Sequence, residues 1–275
     1  MENVFMVFKI KSIGVGKMSL LDQKEDRYIE LLHGEEISLQ DMSESFKDCW
    51  LHDGSVKINR ETIGLFNIAS KDHQYQSLVL SSQETPTVTR VKTKDLVVKS
   101  REETDFCFDI NKKVIEEIFN KQIYKFPEIE PNFLFIPLEG PSQGNVSYIN
   151  FTKLNDLRAL SGHETVLSFC NHLEIIVPQR FQSLERHLER SFEYYTVVTY
   201  FSDSFSEHRE TLSFLTNWEG NYPSLKKELV GKALQRTSKN DYRRLTAKHQ
   251  TKELFSSEED TLAMADFFLI YRHAL

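Results

Sequence analysis

Residues 225–252, LKKELVGKALQRTSKNDYRRLTAKHQTK, hold nine Lys or Arg against two acids, a net of +7. The whole chain carries −7, so everything outside this stretch sums to −14. The chemistry open to such a segment is phosphate neutralisation, because each cation brought to a nucleic-acid backbone releases condensed counterions. Helical phase sorts its residues. Leu225, Leu229, Val230, Ala233 and Leu234 form an apolar stripe, with Lys226, Lys227, Lys232, Arg236 and Lys239 largely outside it. Asp241 is placed to cap a second helix, in which Tyr242, Leu245 and His249 face inward while Arg243, Arg244, Lys248 and Lys252 project. These nine cations are the candidate nucleic-acid contacts, and the Ser, Thr, Asn and Tyr among them complete a phosphate-contacting set. A helix-turn-helix is one arrangement of such a pair, although the turn lacks the frequent glycine. The competing partner is an acidic protein surface, supplied by this chain's own acids, by a second copy, or by another subunit of a hetero-complex.

Other reactive groupings are incomplete. SIGVGKMSL (12–20) contains Gly-x-Gly-Lys, but a phosphate loop needs a Gly five positions before the last Gly and a Ser or Thr after the Lys. This chain has Lys11 and Met18 there, so a glycine-based hairpin turn is expected. Cys49-x-x-His52 with His163, Cys170 and His172 offers zinc-ligand types, and the last two on one strand would share a face. Only the first pair has compact ligand spacing, so buried thiols and partly exposed imidazoles are the expected reading, with no metal and no cofactor. Asp22-Gln23-Lys24 has the Asp-x-Lys form of a metal-dependent nuclease, but it lies in the charged turn DQKEDR with no further acid placed to join it. Cys107 sits in apolar surroundings that favour an inert thiol. His163, in SGHET, has no partnering nucleophile. The balance leans away from an enzyme, with a nuclease of dispersed residues as an alternative.

The elements that must position the basic segment follow from periodicity. The chain has 275 residues, 40% hydrophobic and 27% charged, with 20 Phe, an ordinary globular balance with an aromatic-rich interior. Three well-separated Cys, no basic-then-apolar leader and no apolar run near the ~20 residues of a spanning helix lead us to expect a cytoplasmic protein, not an integral membrane one. Segments 4–10, 28–32, 63–69, 75–80, 87–99 and 105–110 are expected to be strands, with 87–99 an exposed or edge strand. A helix capped by Asn111 is expected over 111–124. NFLFIPLEG (132–140) and NVSYINF (145–151) predict a hairpin, TKLNDLRAL (152–160) a short helix, and TVLSFC and HLEIIVP strands. From 179 to 201 Phe181, Leu184, Leu188, Phe192, Tyr195 and Thr199 share a stripe, predicting a long helix, whose β-branched final third leaves a break to strand near Thr196 as the alternative. Helices are also expected over 206–218, 225–237 and 242–255, and 261–275 closes the chain as a buried helix or strand. The fold class is α+β: a β-rich domain with one or two helices over 1–178, then a helical domain over 179–275.

One resemblance rests on NHLEIIVPQRF (171–181), the helix SLERHLERSFEYY (183–195) and the later YRRL (242–245). This strand, Phe-bearing helix and basic Arg-Leu helix resemble the B subunit of the Kiwa anti-phage defence system and its relatives, over about the last hundred residues. Val177-Pro178 stands where those proteins have an Asn-rich strand end. The resemblance implies a cytoplasmic, DNA-binding, non-enzymatic defence subunit that works with a membrane partner. The function expected is therefore that of a nucleic-acid-binding accessory or sensing subunit, or else of a protein-interaction subunit.

Overall fold

The computed structural model describes residues 36–39, 41–46, 51–52, 56, 58–69, 75–83, 85–102, 108–130, 133–140, 145–170, 172–201, 220–222 and 226–254. The expected strands at 4–10 and 28–32, the helix at 206–218, the closing segment, and Cys49 and Cys107 lie outside them. The fold is α+β. Strands β1 (Glu36–Ser38), β2 (Leu51–His52), β3 (Thr62–Asn67), β4 (Ser77–Ser81), β5 (Thr87–Thr89), β6 (Glu128–Glu130), β7 (Phe133–Pro137), β8 (Tyr148–Asn150), β9 (Leu154–Ala159), β10 (Thr165–Phe169) and β11 (Glu174–Val177) all precede residue 178. Helices α1 (Met42–Ser45), α2 (Thr93–Glu102) and α3 (Phe108–Ile118) lie between them, and α4 (Phe181–Phe201), α5 (Lys227–Leu234) and α6 (Lys239–Leu254) follow. The strands form two sheets, ordered β1-β11-β10-β9 and β2-β5-β4-β3-β8-β7-β6. Pairing is antiparallel except at β1 with β11 and β2 with β5.

Two-residue alternation gives the larger sheet two buried faces. Leu78, Leu80, Leu134, Ile136 and Ile149 enter the main core, which α4 and the smaller sheet share. Their neighbours Val79, Phe135 and Tyr148 enter a second core with Leu96 and Val97 of α2. The hairpin expected from 132–151 forms, with Ile136 opposite Ile149.

Four local expectations fail for identifiable reasons. TKLNDLRAL is a 3₁₀ turn (Phe151–Lys153) followed by β9, not a helix. Leu154 and Leu157 mimic helical spacing because a register shift between Ser168 and Phe169 lets residues three apart face one core. Residues 87–99 do not form one strand; only 87–89 do, and β5 lies between β2 and β4 with Val88 fully buried. From Thr93 the chain turns helical, its first N–H held by the Asn145 side chain, a partner 52 residues away. Phe108–Ile110, expected as strand, open α3, so Asn111 lies inside that helix and does not cap it. The helix stops at Ile118, not 124. Asn120 takes a left-handed φ of 46°, its N–H bonds the Glu117 carbonyl and the Lys121 N–H the Glu116 carbonyl, a Schellman end with Asn at the special position.

The long helix α4 runs unbroken through its β-branched third. The hydroxyls of Ser191, Thr196 and Thr199 each bond the carbonyl four residues back, so they are buried without loss. No described helix is long and apolar enough to cross a membrane.

Candidate nucleic-acid interface

Helix α4 positions the basic segment by sorting its own charges. Glu185, Glu189 and Glu193 recur every four residues, so they form one row on the helix surface. Lys226, just before α5, reaches both Glu189 (2.9 Å) and Glu185 (3.3 Å), with its ammonium 5.1 Å from the Tyr222 ring. Burial works against its charge, but Glu189, Tyr222 and Glu185 outweigh that and hold its pKa above the ordinary lysine value. Arg236, at the end of α5, lies over the Phe119 ring (4.6 Å) and 3.9 Å from Glu193. On α6, Lys248 and His249 both contact Glu117 of α3 at 2.8 Å. Burial opposes the Glu117 charge, and the bonds from Lys248 and His249 prevail, so its pKa is lowered.

The apolar underside matches these contacts. Leu229, Val230, Ala233 and Tyr242 are buried, and the Tyr242 hydroxyl donates to Asn111 Oδ1 at 2.6 Å. The second helix begins at Lys239, and its cap is Ser238 where Asp241 was expected. Ser238 Oγ accepts from the Asp241 N–H (3.1 Å) and donates to its carboxylate (2.6 Å).

The nine candidate cations therefore divide. Lys226, Arg236 and Lys248 meet acids of this same chain. Arg243 is half-buried, and the Lys227 side chain is outside the described residues. Lys232, Lys239, Arg244 and Lys252 are exposed, with no hydrogen bond or ion pair to other described residues.

A second cationic surface escaped sequence reasoning. Arg186 and Arg190 stand on a different row of α4 from the glutamates. With Arg180 and Lys125 they line a cleft of about 730 Å³ beside the β9–β10 turn. The signal was present, since Arg and Glu separate cleanly at helical spacing. However, residues 179–201 hold three arginines and three glutamates, so charge counting passes over them.

His187 shares this cleft but adds no charge at neutrality. Burial lowers its pKa to about 4 despite a 2.8 Å bond from Nε2 to the Pro137 carbonyl, with Lys125 and Arg190 pushing the same way as burial. As pH falls below 6.5 the unfolded imidazole gains a proton that the folded one refuses until about pH 4. Stability is thus lost progressively over that window, by about 3 kcal/mol in total from this residue. His187→Gln, which keeps an N–H donor, is expected to flatten the acid limb of Tm measured from pH 7.5 to 4.5; an unchanged limb counts against this assignment.

Cys170 and His172 do not alternate along a strand. Cys170 follows β10 in the turn, and His172 has a left-handed φ of 67° before β11. Among the described residues, no three His, Cys, Asp or Glu side chains gather so that they could hold a metal ion.

The model of the ComK protein family matches residues 54–200. No curated protein and no solved structure matches the chain. The family match overturns the resemblance to the Kiwa B subunit, whose strand and helix, residues 171–195, lie inside the matched span. Those residues looked alike because they pack alike: Ile175 and Val177 of β11 and Leu184, Leu188 and Phe192 of α4 are core positions, a pattern any strand–helix unit shows. The defence role that rested on the resemblance falls with it. The arginine cleft lies within the matched residues, and the basic helix pair lies beyond them.

Proposed function

The chain belongs to the ComK protein family, a family of DNA-binding competence transcription factors, and from that premise we propose that it binds DNA through the outer face of α5 and α6, without catalysing a reaction. The observation that carries this reading is the division of charge on the helix pair. The inward cations meet Glu185, Glu189, Glu193 and Glu117, which anchors the pair on the protein's own acids. Lys232, Lys239, Arg244 and Lys252 are left outward, where phosphate oxygens can reach them. Arg243 and Lys227 belong to the same proposed face. The acidic surface weighed as a rival partner is thus partly found within the chain itself. The reading includes a cytoplasmic location and regulation of transcription.

The test is duplex binding by fluorescence anisotropy across a salt series. Lys232→Glu with Arg244→Glu is expected to weaken binding at least about tenfold and to make the slope of log K against log salt shallower by about two. Both side chains are exposed, so Tm should stay within a few degrees. Unchanged affinity and slope would refute the assignment of this face.

A further inference from the structure

We propose that the cleft lined by Lys125, Arg180, Arg186 and Arg190 is a phosphate-binding site, distinct from the basic helix pair. Among the described residues, four cations line it and no Asp or Glu does. Gathering like charges around one concavity is unfavourable unless an anion is there to share. Elsewhere on α4 the fold has matched cations with acids: the glutamate row is committed to Lys226 and Arg236. Arg186 and Arg190 are exposed, one helical turn apart, and hold no hydrogen bond or ion pair to other described residues. Their planar forks suit bidentate contact with phosphate oxygens. Lys125 is half-buried and held by the Leu138 carbonyl, so one cation is pre-placed at the wall. Arg180 donates to His163 Nδ1 at 3.4 Å, which restrains it on the opposite loop. Ser161, Gln182 and Ser183 add neutral donors.

Glu139 acts electrostatically on Lys125 but does not line the cleft, and its carboxylate accepts the Ser147 N–H at 2.6 Å. The cleft's volume of about 730 Å³ exceeds what one phosphate group fills. The phosphate can therefore come from a nucleic-acid backbone or from a free phosphorylated molecule. The backbone source rests on the DNA-binding reading above; the free source does not.

The test uses the full chain, with Arg186→Gln/Arg190→Gln as one variant and Arg180→Gln as a second. Two probes are titrated: inorganic phosphate by calorimetry and a 20-base-pair duplex by anisotropy across salt. Loss of the saturable phosphate heat assigns the cleft to free phosphorylated ligands. A duplex salt slope shallower by about two in the double variant, and by about one in Arg180→Gln, assigns it to the nucleic-acid backbone. If both variants match the parent protein with both probes, the proposal is overturned. If the parent protein does not bind the duplex at all, the DNA-binding reading fails and the inorganic-phosphate titration alone decides the cleft.

Discussion

Arg101→Met is expected to cost about 3–5 kcal/mol of folding stability, among the largest effects of any single exchange at a charged residue here. Glu128 on β6 is almost fully buried, and burial pushes its carboxyl pKa up. Arg101, from the last turn of α2, opposes that shift with two side-chain bonds, one of 2.6 Å from Nε and a second from the terminal nitrogen. The guanidinium also stacks 3.5 Å over the Phe108 ring, joining α2, β6 and the start of α3. Methionine keeps much of the arginine's apolar contact but removes the charge, so Glu128 is left to be buried charged or to take up a proton. The sign follows. The folded carboxyl then holds its proton more tightly than the unfolded one, so the loss should be larger at pH 8 than at pH 5. Urea unfolding at both pH values checks this. Arg101→Met/Glu128→Leu should recover most of the loss, because an apolar pair replaces the ion pair without an orphaned charge. A single variant within 1 kcal/mol of the parent at pH 8 would contradict this account.

Gly220→Ala is expected to cost about 3 kcal/mol or more. A Cβ built at Gly220 would lie 2.2 Å from the Leu154 carbonyl oxygen and 2.6 Å and 2.7 Å from its backbone N and C. These are main-chain atoms of β9, so no rotamer change clears them. The Gly220 N–H also donates to the Thr152 carbonyl at 2.8 Å, and Asn221 N–H to Asn155 Oδ1 at 3.0 Å. Next to them Tyr222 packs edge-on against Phe151, with ring centroids 5.7 Å apart. Lifting this segment would unseat Tyr222 and disturb Lys226, four residues on, between its two glutamates. Gly231→Ala is the control: this exposed glycine lies inside α5 with no atom of the described residues outside its own helix backbone and chain neighbours within 4 Å of its Cβ position. It should stabilise by about 0.5–1 kcal/mol through helix propensity. Thermal unfolding of both variants should move Tm in opposite directions.

Legibility in the sequence followed the range of the interactions. The hairpin of β7 and β8 and the helices α4, α5 and α6 were readable because their apolar periods are local. The basic segment was readable because its charge is contiguous. What failed depended on distant partners. The helical start of α2 needs Asn145, and the extended form of β9 depends on its pairing with β10, against which Asn155 of β9 is the bulged residue. The site was read in halves: the nine cations of 225–252 were visible, but which of them face outward depends on glutamates about 40 residues earlier for Lys226 and Arg236 and on Glu117, 131 residues earlier, for Lys248. The arginine cleft was hidden by local neutrality, since residues 179–201 carry three arginines and three glutamates. A search for like-charge rows at three- and four-residue spacing, and not for net charge, would have found it.

Helix α4 also sets a distance. Arg186 lies at one end of it, and Phe201 at the other stacks against Tyr242 of α6 with ring centroids 6.0 Å apart. At 1.5 Å per residue, these positions are roughly 22 Å apart along the axis. The helix is unbroken and its apolar stripe is buried, so it is a stiff rod with α5 alongside its glutamates and α6 at its far end from Arg186. On the DNA-binding reading proposed above, a duplex touching both the cleft and α6 would be held at two points about two-thirds of a helical turn apart. On that reading, engagement of one surface would raise the effective concentration of DNA at the other. On the same reading, a kink in the middle of α4 that keeps every cation in the sequence would weaken duplex binding by moving one surface relative to the other.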